Sequence, residues 1–124
     1  MILRQEMSDA IRDNISPEYV AYRISQVLET IQEVSEKQVN LLLAVRNING
    51  VLHELKELEQ RVDPADFRYL TGISSECDDL PLGKERQYWA PDSLQEKDLD
   101  AANYESQVRD RVLQVFVRIA AALK

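Results

Sequence analysis

The chain has little of what punctuates or staples a small protein. Three glycines and four prolines in 124 residues leave few turn-formers, which favours long regular elements over a strand-and-turn fold. One cysteine, Cys77, excludes an internal disulfide, and with a single histidine it leaves no ligand set for zinc. No cofactor and no metal are expected. The opening stretch MILRQEMSDAIRD meets charge at its fourth residue and lacks the apolar core of a secretion signal. The longest greasy run, VLQVFVRIAAAL at 112–123, is too short to span a bilayer and is interrupted by Gln114 and Arg118. These absences point to a cytoplasmic protein without a membrane segment.

Positive charge is also scarce. Fifteen basic residues face 22 acidic ones, a net charge of -7. The surplus is densest in the middle, where residues 63–97 carry eight acidic and four basic side chains. Such a surface repels nucleic acid and anionic membranes at long range, so a neutral or basic protein is the expected partner.

What the chain does have is helical periodicity. Ser16, Pro17 and Glu18 form a helix start: a capping hydroxyl, a first residue with no amide hydrogen to satisfy, and an acid at the positive end of the dipole. From there a three-four spacing runs through Val20, Ile24, Val27, Ile31, Val34, Gln38, Leu41, Val45, Ile48, Leu52, Leu55, Glu59 and Val62. This is a coiled-coil-like heptad seam. It keeps register across Asn49-Gly50, where a turn would have no reason to preserve it, so the spacing predicts one helix over 17–62. At 1.5 Å per residue that rod is roughly 70 Å long.

The rest reads as shorter pieces of a single domain, 1–124. Residues 2–14 form a short amphipathic helix on Leu3, Met7 and Ile11. Asp63 and Pro64 start another that ends at Gly72, giving a helix over 63–72. Residues 73–92 have no period and form a loop long enough to be either mobile or functional. Ser93 with Glu96 has the form of a capping box, so a C-terminal helix spans 94–124, with Arg111 and Arg118 available to an acidic neighbour. The fold class expected is therefore all-α. A long N-terminal helix packs on a C-terminal one, and dimerisation completes the bundle, because at about 45 Å the second helix cannot cover the first. Ile24, Ile31, Leu41, Val45, Ile48, Leu52 and Leu55 would form the interface of the homodimer. Leu42, Leu43, Val51 and Leu58, flanking the seam, would receive another protein together with Tyr88 and Trp89, which sit in RQYWAP with the composition of a binding hot spot.

Candidate chemistry is sparse. RNINGVLH at 46–53 places Arg46 and Asn47 seven and six residues before His53 and resembles the arginine–histidine motif of the HEPN superfamily of small all-helical proteins. That resemblance implies a dimeric ribonuclease in which Arg46 holds a phosphate and His53 moves a proton. The acidic spacings Glu33–Glu36, Glu54–Glu57 and Glu76–Asp79 resemble the magnesium-holding pairs of all-helical nucleotide pyrophosphatases. HELKE at 53–57 lacks the second histidine of a zinc protease. Cys77, between acidic residues, has the wrong surroundings for a nucleophile. The composition favours a non-enzymatic interaction module, an acidic homodimeric adaptor, chaperone-like escort or regulatory subunit. The ribonuclease is the first alternative, and a coiled-coil component of a larger assembly the second.

Overall fold

A computed structural model describes residues 15–124; the helix expected over 2–14 lies outside them. Among the described residues are five α-helices and no strand. They are α1 (Pro17–Ser35), α2 (Leu41–Glu54), α3 (Lys56–Arg61), α4 (Pro64–Glu76) and α5 (Pro91–Leu123), with a 3-10 turn at Lys84–Tyr88. The chain is all-α, and none of these helices is long and apolar enough to cross a membrane.

Two helix starts follow the sequence closely. Ser16 Oγ accepts from the Tyr19 amide at 3.2 Å with Pro17 next in the chain, and Asp63 Oδ1 accepts from the Ala65 amide at 2.7 Å ahead of Pro64. The single helix over 17–62 is not formed. The chain passes through Asn49-Gly50 as one helix, but it breaks on either side of that pair, at 36–40 and at Leu55.

The first break reverses the chain. Lys37 takes a left-handed backbone, φ 61°. The Gln38 amide reaches back to the Glu33 carbonyl at 2.9 Å, and the Lys37 amide to the Val34 carbonyl at 3.0 Å. Those two bonds are the Schellman closure of a helix, with lysine where glycine is usual. Asn40 then caps α2, its Oδ1 accepting from the Leu43 amide at 3.0 Å. At the second break Leu55 is extended, φ -114° and ψ 103°, and the short α3 turns the chain toward α4. Nothing local forbids a helix through HELKEL. The bend is held instead by packing, with Leu55, Leu58 and Val62 all buried.

These reversals fold the seam onto itself. Val20, Val27, Ile31 and Val34 of α1 meet a core that includes Leu41, Val45, Ile48 and Leu52 of α2. α2 sits at the centre, against α1, α4 and α5, and is buried over most of its circumference, as its near-continuous apolar surface requires. Of the residues expected at a dimer interface, Ile31, Leu41, Val45, Ile48, Leu52 and Leu55 are buried within the chain and Ile24 is half-buried. Leu42, Val51 and Leu58, expected to receive a partner, are likewise covered by the chain's own helices, and Leu43 is half-buried. Hiding each such side chain contributes about 1.5–3 kcal/mol, a gain a hairpin achieves without a second molecule. The need for a second copy to shelter the seam is thereby removed.

The remaining boundaries also shift. α4 runs through Gly72 to Glu76, and α5 begins at Pro91 rather than after Ser93, with Ala90 as a cap that offers no side-chain bond. An ion pair between buried Asp66 and exposed Arg118 ties α4 to α5: Arg118 Nε and Nη2 donate to Asp66 Oδ2 and Oδ1 at 2.9 and 2.8 Å. Arg111 instead lays its guanidinium 4.1 Å over the Tyr69 ring. Buried Asn49 donates to Thr71 Oγ1 at 2.8 Å, joining α2 to α4.

Leu55→Asp places an unpaired carboxylate in this core and is expected to unfold the chain, while Leu55→Ala costs about 3 kcal/mol. Circular dichroism with urea titration measures both. A Leu55→Asp protein that keeps its helicity and merely loses mass in sedimentation would return the seam to an interface between molecules.

Candidate protein-docking site

Between α4 and α5 the chain crosses the surface as a strap, residues 77–90. Its sequence has no period because side chains from elsewhere hold it. Cys77, Leu80 and Pro81 are buried and anchor one end. Arg46 reaches out from α2: Nη1 donates to Glu85 Oε1 at 2.8 Å, and Nη2 to the carbonyls of Cys77 and Leu80 at 3.0 and 3.1 Å. Glu85 Oε1 also accepts from the Leu82 amide at 3.1 Å. The Arg46 hydrogen bond, helped by backbone amides, holds the Glu85 carboxyl well below its ordinary 4.5, at about 2. Gly83 passes close to this carboxylate. A Cβ at that position would lie 3.0 Å from Glu85 Oε2, so a larger residue would oblige the carboxylate to shift by a few tenths of an ångström while Oε1 stays bound to Arg46.

The strap is fastened to α5 as well. Arg86 Nη1 and Nη2 donate to Asp98 Oδ1 and Oδ2 at 2.6 and 3.0 Å, with Nη1 also 3.0 Å from the Pro81 carbonyl. This planar fork lowers the Asp98 carboxyl and raises the Arg86 guanidinium. Lys97 Nζ meets Asp79 Oδ2 at 3.2 Å. Burial pushes the Cys77 thiol up, with Arg46 opposing, so the sulfur stays protonated and inert.

So secured, the strap presents aromatic surface to solvent. Tyr88 is 83% exposed and Trp89 36%. Under the strap a groove of about 370 Å³ is lined by Asn40, by Leu82 and Arg86 of the strap and by Asp98, Ala101, Ala102 and Glu105 of α5; Tyr88 and Trp89 are not part of its lining. On the first turns of α5, Leu99 stands 63% exposed. Tyr88 and Trp89 were legible in RQYWAP; Leu99 was not, because a lone leucine in a helix gives no sign of which side it faces.

The sequence-derived catalytic pair has other employment. Arg46 and His53 do share a side of α2, about 10 Å apart along its axis, but the Arg46 guanidinium is committed to the strap. The His53 ring packs on Phe67, centroids 4.6 Å apart, and its Nε2 lies 3.4 Å from Thr71 Oγ1. The acidic spacings do not converge: among the described residues no group of three or more histidine, cysteine, aspartate or glutamate side chains is placed to hold a metal ion. Glu54 bonds instead to Tyr19 Oη at 2.5 Å and to Arg23 Nη2 at 2.8 Å. Arg23, with Gln26 and Asn47, lines a second cleft of about 260 Å³ between α1 and α2. That network spans thirty-odd residues of chain and left no local trace in the sequence.

No known protein family matches the chain, and no curated protein or solved structure matches it either.

Because the Glu85 and Asp98 carboxyls are lowered in the folded chain, their contribution to holding the strap is complete above the ordinary carboxylate range. It is lost as the pH falls toward the folded value, for Glu85 from 4.5 to about 2. Trp89 emission is expected to shift to the red across that window. Glu85→Gln should show part of the red shift already at neutral pH. Identical emission from Glu85→Gln and wild type at neutral pH would mean that Arg46 does not secure the strap through this carboxylate.

Proposed function

We propose that the protein is a non-enzymatic docking module, an adaptor, escort or regulatory subunit, whose partner seats on Tyr88, Trp89 and the adjoining start of α5. The observation that carries this reading is Tyr88, left in solvent next to a one-third exposed Trp89, on a strap that is itself fastened by Arg46, Arg86 and Lys97. Aromatic anchors dominate protein interfaces, and a surface fixed before binding loses little freedom when the partner arrives.

The partner proposed is a different protein, not a second copy. Two copies of this chain would bring like carboxylates together, with a charge of -7 on each. A ribonuclease reading would rest on Arg46 and His53, whose present partners support structural roles for both.

Tyr88→Ser/Trp89→Ser removes the anchors without touching the fastening residues. In affinity purification followed by calorimetry with the purified partner, the double variant is expected to bind at least about thirtyfold more weakly while melting like wild type. Equal binding by both proteins would contradict the proposed site.

A further inference from the structure

We propose that the cleft between α1 and α2 binds a small uncharged cyclic amide, a ring that carries a carbonyl beside an N–H. The cleft shares no lining residue with the strap, so this site stands apart from the docking reading of Tyr88 and Trp89.

The cleft has an apolar floor and a polar rim. Val27, Ile48 and Val51, all buried, form the floor. Arg23, Gln26 and Thr30 follow one another at spacings of three and four residues, so they share one face of α1 and line one wall. Asn47 of α2 lines the other. Apolar surface with a few placed polar groups is the common make-up of small-molecule sites. At about 260 Å³ the cleft falls below the roughly 300–1,000 Å³ of sites for drug-sized ligands, and it suits a single ring.

The hydrogen bonds of the rim define what that ring must carry. Arg23 Nη1 donates to Gln26 Oε1 at 2.7 Å, and Nη2 to Glu54 Oε2 at 2.8 Å. A guanidinium can only donate, so it fixes the Gln26 oxygen toward itself and turns the amide nitrogen to Tyr22 Oη, 3.0 Å away. The remaining nitrogen of Arg23, Nε, is buried and has no acceptor. A donor shut off from both water and protein is costly, and an acceptor brought to it recovers that cost. The Arg23 side chain is 23% exposed, and a tilt of its guanidinium would present this N–H to the cleft. Thr30 Oγ1 spends its hydrogen on the Gln26 carbonyl at 2.9 Å and keeps its lone pairs. Asn47 is exposed, and its amide, with no partner among the described residues, offers a donor and an acceptor. The rim therefore answers a carbonyl and an N–H on the same ligand.

Charge and polarity exclude the other classes. Glu54 already neutralises Arg23, so an anion finds no free cation and a carboxylate close by. No acidic side chain lines the cleft to hold a cation. A purely apolar ring would cover the polar rim without pairing it. A neutral ring with an amide edge covers the valines and the isoleucine while its carbonyl meets Arg23 Nε–H.

The probe is 2-pyridone, with benzoate and toluene as anionic and apolar rings of similar size. Each is titrated against the ¹⁵N-labelled full chain and followed by NMR at the Arg23 Nε–H and Asn47 side-chain signals. Saturable shifts of both are expected with 2-pyridone, at a dissociation constant on the order of 1 mM, and at least about tenfold weaker binding of either control. Arg23→Lys keeps the charge facing Glu54 but removes the Nε–H, and Asn47→Ala trims an exposed side chain that the core does not use. Each is expected to weaken 2-pyridone binding about tenfold, with helicity and melting by circular dichroism as in wild type. If Arg23→Lys melts early, Asn47→Ala alone decides. The proposal is overturned by the absence of saturable shifts, by benzoate or toluene binding as tightly as 2-pyridone, or by unchanged affinity in a folded variant.

Discussion

An apolar stripe running from Val20 to Val62 must be sheltered, and a straight helix cannot shelter its own stripe. The left-handed residue at Lys37 resolves that conflict. A lysine in that conformation costs about 1–2 kcal/mol. The reversal in turn lets α1 and α2 bury one another's valines, leucines and isoleucines, each worth more than the turn costs. Once α2 is enclosed on one side by α1, α4 and α5 occupy its other sides, and the layout of the bundle follows.

How much of this was legible depended on whether the signal was local. Ser16-Pro17 and Asp63-Pro64 announced helix starts because capping needs only neighbours in sequence. The passage of the helix through Asn49-Gly50 was legible from the register of Ile48 and Leu52, and a Cβ at Gly50 would meet nothing within 4 Å. The break at 36–40 was hidden because EKQVN contains neither glycine nor proline. The heptad pattern persists across it, since a hairpin and a rod both want one apolar stripe. The flank at Leu42, Val51 and Leu58 looked like surplus surface for the same reason: a helix buried on several sides and one awaiting partners have the same sequence.

The candidate site was half legible. RQYWAP announced its aromatics, but the strap's rigidity depends on Arg46, some forty residues upstream, whose apparent relation to His53 suggested catalysis instead. In the folded chain that arginine neutralises Glu85 and satisfies two carbonyls, the ordinary work of a guanidinium half-buried under a loop. Its five donors suit it to fixing irregular backbone that has no ladder of its own. The strap's order and its exposed face are thus two consequences of one set of ion pairs.

The account stands on the reversal at Lys37, and the stability of Lys37→Gly tests it most directly. Glycine relieves a left-handed residue, so in the hairpin the urea midpoint should rise, by about 0.5–1 kcal/mol of stability. In an unbroken helix the same substitution would lower stability by about 1 kcal/mol. A fall would contradict the hairpin and, with it, the burial of the seam within one chain.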